Sequence, residues 1–199
     1  MKKLKSSLTN MILVLTTVSI VAGGTLAAVI KATQEHISKM KAEALAGSIR
    51  KVLKVNADES LTVEDYEDEG FVIHRTDHGT AVESTQNGFG GPLRILVGFD
   101  PEGTILGYSI LETSETPGLG EKAGEWFQEG QKGCIIGLNP STSRMGVTKG
   151  GEGDIDAITA STITSKAFLR AVQAAYDKLF AENGTDGSTS ATSQKGGRK

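Results

Sequence analysis

Cysteine is almost missing from this sequence: Cys134 is the only one in 199 residues. One thiol cannot close an intrachain disulfide, and it excludes a cysteine-ligated iron–sulfur cluster or a four-cysteine zinc site. Any redox chemistry therefore needs a bound organic cofactor. Aromatics make up only 5% of the chain, and nowhere do they interleave with a basic patch. Nucleic acid is accordingly excluded as a partner. Acidic residues are missing from the first thirty positions, where Lys2, Lys3 and Lys5 stand alone. The overall charge of −3 thus hides a remainder of −6 beyond residue 30. Glycine, by contrast, is abundant: 25 residues, about 13% against a usual 7%. Most gather between Gly88 and Gly153, which predicts tight turns and close backbone approaches there.

Ser6 to Ile30 carries no charge, and Met11–Ile30 reads MILVLTTVSIVAGGTLAAVI. Twenty helical residues reach about 30 Å, the thickness of a bilayer's hydrocarbon core. Three lysines precede the run and only Lys31 follows it directly, so the positive-inside bias places the N-terminus in the cytoplasm. A cleaved signal peptide also starts with a basic region, and small residues near Ala22–Ala28 keep that reading open. The apolar run is longer than the roughly 7–15 residues usual for a signal. The expected partition is an N-terminus and transmembrane anchor at 1–31, a connecting amphipathic helix at 32–55, a globular domain at 56–181 and a disordered tail at 182–199.

Along 33–55, Ile37, Met40, Ala44, Leu45, Ile49 and Val52 recur at three- and four-residue spacing, which predicts a helix. Residues 56–70 are acidic and carry no readable pattern. Phe71–His74, Gly79–Val82, Leu93–Phe99 and Thr104–Leu111 read as strands, the last two joined at Asp100-Pro-Glu-Gly103. Lys122–Glu129 reads as a short helix. Ser165–Phe180 reads as a longer one, with Phe168, Leu169, Val172, Tyr176 and Leu179 in one stripe. The fold class expected is α+β: a small, mainly antiparallel sheet with packed helices, preceded by one transmembrane helix.

Two segments carry chemistry. Asp156-Ala-Ile-Thr-Ala-Ser-Thr162-Ile-Thr-Ser165 is a hydroxyl-dense turn feeding a helix N-terminus, where unpaired N–H groups and the positive dipole end suit a phosphate. Equally, Thr164 or Ser165 can simply cap the helix. Ser114-Glu-Thr-Pro-Gly-Leu-Gly120 is a turn by virtue of Pro117 and Gly118; taken alone, it is an ordinary polar loop.

Together, in this order and behind an apolar helix, the segments resemble the FMN-binding domain family. The likeness is strongest to the G subunits of Rnf electron-transport complexes and the C subunits of sodium-translocating NADH:quinone reductases. The resemblance runs to about Phe180. It includes Gly88-Phe-Gly-Gly-Pro92, the ETPGLG loop at Glu115–Gly120 and a D-x-x-[ST]-G-A-T-type flavinylation motif at Asp156–Thr162. It implies an electron-relay subunit of an Rnf-type ferredoxin:NAD+ oxidoreductase coupled to ion transport. FMN would be esterified through its phosphate to Thr162 by a flavin transferase. The alternatives are the corresponding subunit of the quinone reductase and a stand-alone extracytoplasmic flavoprotein.

By the same resemblance, Thr116, Gly118 and Leu119 lie against the isoalloxazine, and Glu115 positions the loop or touches the flavin. Thr159, Ser161 and Thr164 surround the phosphate. Other membrane subunits would be partners, with the FMN domain on the extracytoplasmic side of a bacterial cytoplasmic membrane. The sequence departs from the motif at Ala160, where glycine is usual, and at Ser161, where alanine is usual. The second departure makes Ser161 the fallback acceptor. The remaining chemistry-bearing residues have plain readings. His36, His74 and His78 are too dispersed for a metal site, Trp126 and Phe127 pack under the loop, Cys134 is a small apolar filler, and Lys166 reaches the phosphate or solvent.

Overall fold

The structure, a computed structural model, describes residues 8–56 and 59–180. The tail expected at 182–199 and Lys2–Lys5 lie outside the described residues, as does the side chain of His36. By its internal contacts the chain divides into two compact units, Met1–Leu45 and Ala46–Lys199.

Helix α1 runs from Leu8 to Val52 without a break. Within its apolar part, Thr17, Thr25 and Thr33 donate their hydroxyls to the carbonyls of Leu13, Val21 and Val29 at 2.8, 2.7 and 2.8 Å. Each thereby satisfies its polar group inside the helix, which lets the run stay apolar outward. Within Asn10–Val52 an 18-residue window has a mean hydropathy of 2.2, so the helix is long and apolar enough to cross a membrane, a test that an N-terminal signal sequence also passes. Ile37 and Met40 of the predicted stripe are exposed, whereas Ile49, Val52 and Leu53 are buried in the second unit.

That unit is built on a five-stranded antiparallel sheet in the order β1-β2-β3-β4-β5. The strands are β1 (Glu64–Asp68), β2 (Phe71–Thr76), β3 (Gly79–Asn87), β4 (Pro92–Phe99) and β5 (Ile105–Thr113). A 3-10 turn, Gly120–Lys122, leads into the short α2 (Ala123–Trp126), and α3 (Thr162–Phe180) closes the domain. The fold is α+β, as expected. Strand β1 is illegible in the sequence because its burial follows no alternation. Glu64, Asp65, Tyr66 and Glu67 are all exposed, and the backbone ladder to β2 defines it.

One face carries Ile73, Val82, Val97 and Tyr108 in register and receives α3. Phe168 of α3 stacks on Phe127 at 4.3 Å and meets Tyr108 edge-on at 4.8 Å. Such pairs add roughly 0.5–1.5 kcal/mol beyond the area they bury. Tyr108 donates its hydroxyl to the Ala123 carbonyl at 2.7 Å, and burial pushes its ionisation well above the usual phenol range. The opposite face packs under the last turn of α1. There the Val52 backbone lies so close to Gly98 and Gly107 that a Cβ at either would meet its carbonyl oxygen at 2.7 or 2.8 Å.

A charged chain crosses four strands on that second face. Buried His74 sets Nδ1 2.6 Å from Asp65 Oδ1 and Nε2 3.1 Å from Glu83 Oε1, while the other Glu83 oxygen accepts from Arg94. An imidazolium, donating from both nitrogens, satisfies both carboxylates at once. No cluster able to hold a metal includes these histidines among the described residues. Burial opposes charge on His74, but its bonds to Glu83 and Asp65 outweigh this and raise it above 6.5. Burial opposes charge on Glu83 too, and His74 and Arg94 outweigh it and hold the carboxyl below 4.5.

The two shifts bound a pH window. The His74 contribution is complete below its unfolded value of 6.5 and is lost as pH rises through the higher folded value. The Glu83 contribution is complete above 4.5 and is lost as pH falls through its lower folded value. Urea midpoints across pH should therefore be highest between about 4.5 and 6.5 and decline on the alkaline side. In His74→Ala that alkaline decline should flatten.

Candidate functional site

After β5 the chain turns back, and Glu115 N–H is held by the Thr113 hydroxyl at 3.2 Å. The Glu115 side chain is 8% exposed and points inward. Its Oε1 accepts the Phe89 N–H at 2.7 Å, tying the Gly88–Gly91 turn to this loop. Gly88 and Gly120 flank the carboxylate, and a Cβ at either would collide with one of its oxygens. This arrangement needs glycine at both ends and an acceptor between them. The loop then tightens as Leu119 N–H bonds the Thr116 carbonyl at 3.1 Å, with Gly118 at φ +74°.

The second half of the site is the entry to α3. Ser161 N–H bonds Ile158 O at 3.1 Å, and Ser165 N–H bonds Ser161 O at 3.0 Å. Ser165 Oγ donates to the Ser161 carbonyl at 2.9 Å and accepts the Ile158 N–H at 3.0 Å. Ser161 Oγ donates to Thr164 Oγ1 at 2.9 Å. The helix therefore begins at Thr162, with Ser161 in the capping position, three residues before the expected start. The β-branched Thr162-Ile-Thr164 run disfavours a helix locally, and this closed set of bonds overrides it.

Exposure separates the three hydroxyls. Thr164 is fully buried and Ser161 is 8% exposed, and they bond each other. Thr162 is half-buried, and among the described residues nothing engages its hydroxyl. The N–H groups of the first turn around it also lack intrahelical partners.

Two clefts open on either side of this turn. The first, about 410 Å³, is lined by Glu115, Thr116, Leu119, Ser161, Thr162 and Thr164, and also by Phe89, Gly120, Ala160 and Ile163. The second, about 390 Å³, holds Thr159 together with Asp156, Trp126, Lys132, Thr148 and Lys149; Ala160 and Thr162 line both. Of the eight residues expected at the site, six line the first cleft. Thr159 faces the second, and Gly118 lines neither, its part being the turn it permits.

Phe89 and Ile163 are additions that the sequence reading lacks, although they are 70% and 57% exposed beside Leu119 at 44%. An apolar residue inside a glycine run or a hydroxyl run is the signal that could have found them. Lys166, expected to reach the phosphate or solvent, pairs with Glu152 at 2.6 Å. Trp126 packs on the hydrophobic core, lines the second cleft and donates its indole N–H to Asp156 O at 2.8 Å. Phe127 is fully buried.

Residues 88–177 match the family model described as FMN-binding domain. That stretch, less than half of the chain, is similar to the FMN-binding domain family. The chain is 29% identical to the G subunit of the ion-translocating oxidoreductase complex of Methanosarcina acetivorans over 188 residues, 89% of this chain and 97% of the relative. It is 37% identical to the protein of that name from Salmonella typhi over 120 residues, 57% and 56% of the two chains. It is 39% identical over 90 residues to the G subunit of the Na(+)-translocating ferredoxin:NAD(+) oxidoreductase complex of Acetobacterium woodii, 43% and 41% of the two. Apart from the Methanosarcina protein, the chain spans about half the length of these relatives. Among solved structures, the C subunit of the Na(+)-translocating NADH-quinone reductase of Parabacteroides distasonis is 18% identical with a TM-score of 0.41, over 64% of this chain and 85% of that one.

The residues present suit FMN. A flat ring needs apolar surface, and Phe89, Leu119 and Ile163 offer it around a cleft within the roughly 300–1,000 Å³ usual for ligand sites. A phosphate needs donors, and the first turn of α3 supplies unpaired N–H groups next to an unengaged hydroxyl.

Two substitutions probe this frame. Ala160 has φ +64°, a conformation that strains any residue with a Cβ. Ala160→Gly should raise stability by about 0.5–1 kcal/mol in urea unfolding. Glu115→Ala strips the Phe89 N–H of its partner and leaves a gap between two glycines. It should cost about 1–3 kcal/mol, with faster amide exchange at Phe89.

Proposed function

We propose that this chain is an electron-relay subunit with FMN esterified through its phosphate to Thr162, in an Rnf-type ferredoxin:NAD+ oxidoreductase complex coupled to ion transport. The observation that carries this reading is the state of the Thr162 hydroxyl: half-exposed, unengaged and common to both clefts, while Ser161 and Thr164 are buried in a bond to each other. Only Thr162 among the three offers an oxygen to a phosphorus atom without first breaking the helix cap. A flavin transferase would form the ester from a donor that holds the FMN phosphate in a pyrophosphate. The Thr162 oxygen bonds the FMN phosphorus, the P–O bond of the anhydride breaks, the donor's other phosphate leaves, and the hydroxyl proton passes to a base or water.

When bound, FMN supplies the ability to take up two electrons and release them singly. The protein's own tasks are holding and shielding. Phe89, Leu119 and Ile163 would cover the ring, and Thr116 would border it. Glu115, held by Phe89 N–H and two glycines, keeps that wall in place and positions the site without needing to touch the cofactor. Ser161 and Thr164 would flank the phosphate through the helix entry they fix, and Thr159 would approach it from the second cleft. A covalent tether suits a compartment in which free FMN is scarce, since dissociation can no longer empty the site.

The names of the relatives support membership of a complex of several proteins, with other membrane subunits as partners. In this reading α1 anchors the chain with its N-terminus in the cytoplasm, and the FMN domain lies on the extracytoplasmic side. One helix without charges in its apolar run cannot line an ion path, so the chain relays electrons only. The corresponding subunit of a sodium-translocating quinone reductase is the alternative, followed by a stand-alone flavoprotein.

Intact mass and in-gel ultraviolet fluorescence of the denatured protein, expressed with and without a flavin transferase, test the ester. Wild type and Ser161→Ala should gain the mass of one esterified FMN and fluoresce; Thr162→Ala should do neither. Wild type that gains no mass despite the transferase would sink the covalent link.

A further inference from the structure

Thr162 lines the second cleft as well as the first. Its wall carries two cations, Lys132 and Lys149. Several other cations of the domain are committed to acids: Arg94 to Glu83, Arg144 to Asp154, Lys166 to Glu152, and Lys178 to Asp68 and Glu69. Neither Lys132 nor Lys149 has a carboxylate partner among the described residues. The one acid in the cleft, Asp156, already accepts the Thr148 hydroxyl at 3.0 Å, so the walls carry a net charge of +1. Trp126 spends its indole N–H on the Asp156 carbonyl and adds no donor.

The backbone holds both lysines in place. Lys132 lies in a turn closed by Gln131 N–H to Gln128 O and Cys134 N–H to Gln131 O, both 3.2 Å. Lys149 follows Thr148, whose N–H bonds Ile155 O at 2.9 Å and whose carbonyl accepts from Gly151 at 3.1 Å. Long basic side chains on fixed stems can reach into a cleft while their heads stay wet.

We propose that the second cleft is an anion subsite, in which Lys132 and Lys149 hold the phosphate of FMN beside Thr162. The proposal rests on FMN as the cofactor of the first cleft, and it assigns the phosphate's counter-charge to two loop residues on the far side of the α3 entry. It also explains the freedom of Lys166 to pair with Glu152: the compensating charge comes from elsewhere.

The test uses the full chain in detergent, made without a flavin transferase, titrated with FMN and with riboflavin, which lacks the phosphate. Binding is read by quenching of flavin fluorescence. Wild type should bind FMN about tenfold more tightly than riboflavin, the scale of two exposed charge pairs together, and added salt should erode the difference. The preference should vanish in Lys132→Ala/Lys149→Ala. It should survive in Lys132→Arg/Lys149→Arg and in Lys166→Ala. Equal affinity for the two flavins in wild type, a preference that persists in the double alanine variant, or an equal loss in Lys166→Ala would each overturn the subsite. Mass analysis of chain co-expressed with the transferase keeps the two readings apart: FMN incorporated at Thr162 without any phosphate preference sinks the lysines alone. Binding of neither flavin, with no incorporation, sinks both.

Discussion

Phe168 sits where three parts of the domain meet: it stacks on Phe127 after α2, abuts Tyr108 of β5 and belongs to the second turn of α3. Removing such a ring from a close-packed core costs about 3–5 kcal/mol, a large share of a small domain's stability. The contact therefore fixes how far α3 is pushed along the sheet. Six residues earlier the same helix begins, so the seating of one aromatic ring sets the position of Thr162 and of the two clefts beside it. Glu115 fixes the facing wall by a similar economy, with one carboxylate held between two glycines and one N–H.

Much of this is legible in the residues. The strands from Phe71 to Leu111 alternate or run apolar because each has at least one buried face, and α3 shows its stripe because one side meets the sheet. The features that stay hidden share a cause. Strand β1 is exposed along nearly its whole length, so nothing in its side chains records the pairing. The start of α3 reads too late because Thr, Ile and Thr disfavour helix locally, while the bonds that override this come from Ile158 and Ser165. The roles of Lys166 and Trp126 escape local reading because their partners, Glu152 and Asp156, are fourteen and thirty residues away. Loop residues such as Phe89 and Lys132 belong to the clefts only through contacts that no local pattern encodes.

The departure at Ala160 is where sequence and geometry disagree most directly. Ala160 adopts a positive φ, which glycine tolerates best. The cap bonds on either side over-determine the turn and hold Ala160 in this conformation. Ser161, the neighbouring departure, is itself one of those bonds. The two residues thus act on one turn: the Ser161 hydroxyl helps hold the backbone that Ala160 strains.

The two borders of the sheet are guarded by different means. At β5, Ile105 exchanges backbone bonds with Gly137 and Leu138, so a stretch of the chain itself occupies that margin. At β1 the margin is left open but studded with Glu64, Asp65, Glu67 and Asp68. A second strand laid there would have to bring matching cations or endure repulsion along its length. The acidic margin thus disfavours extension of the sheet by a further strand at β1.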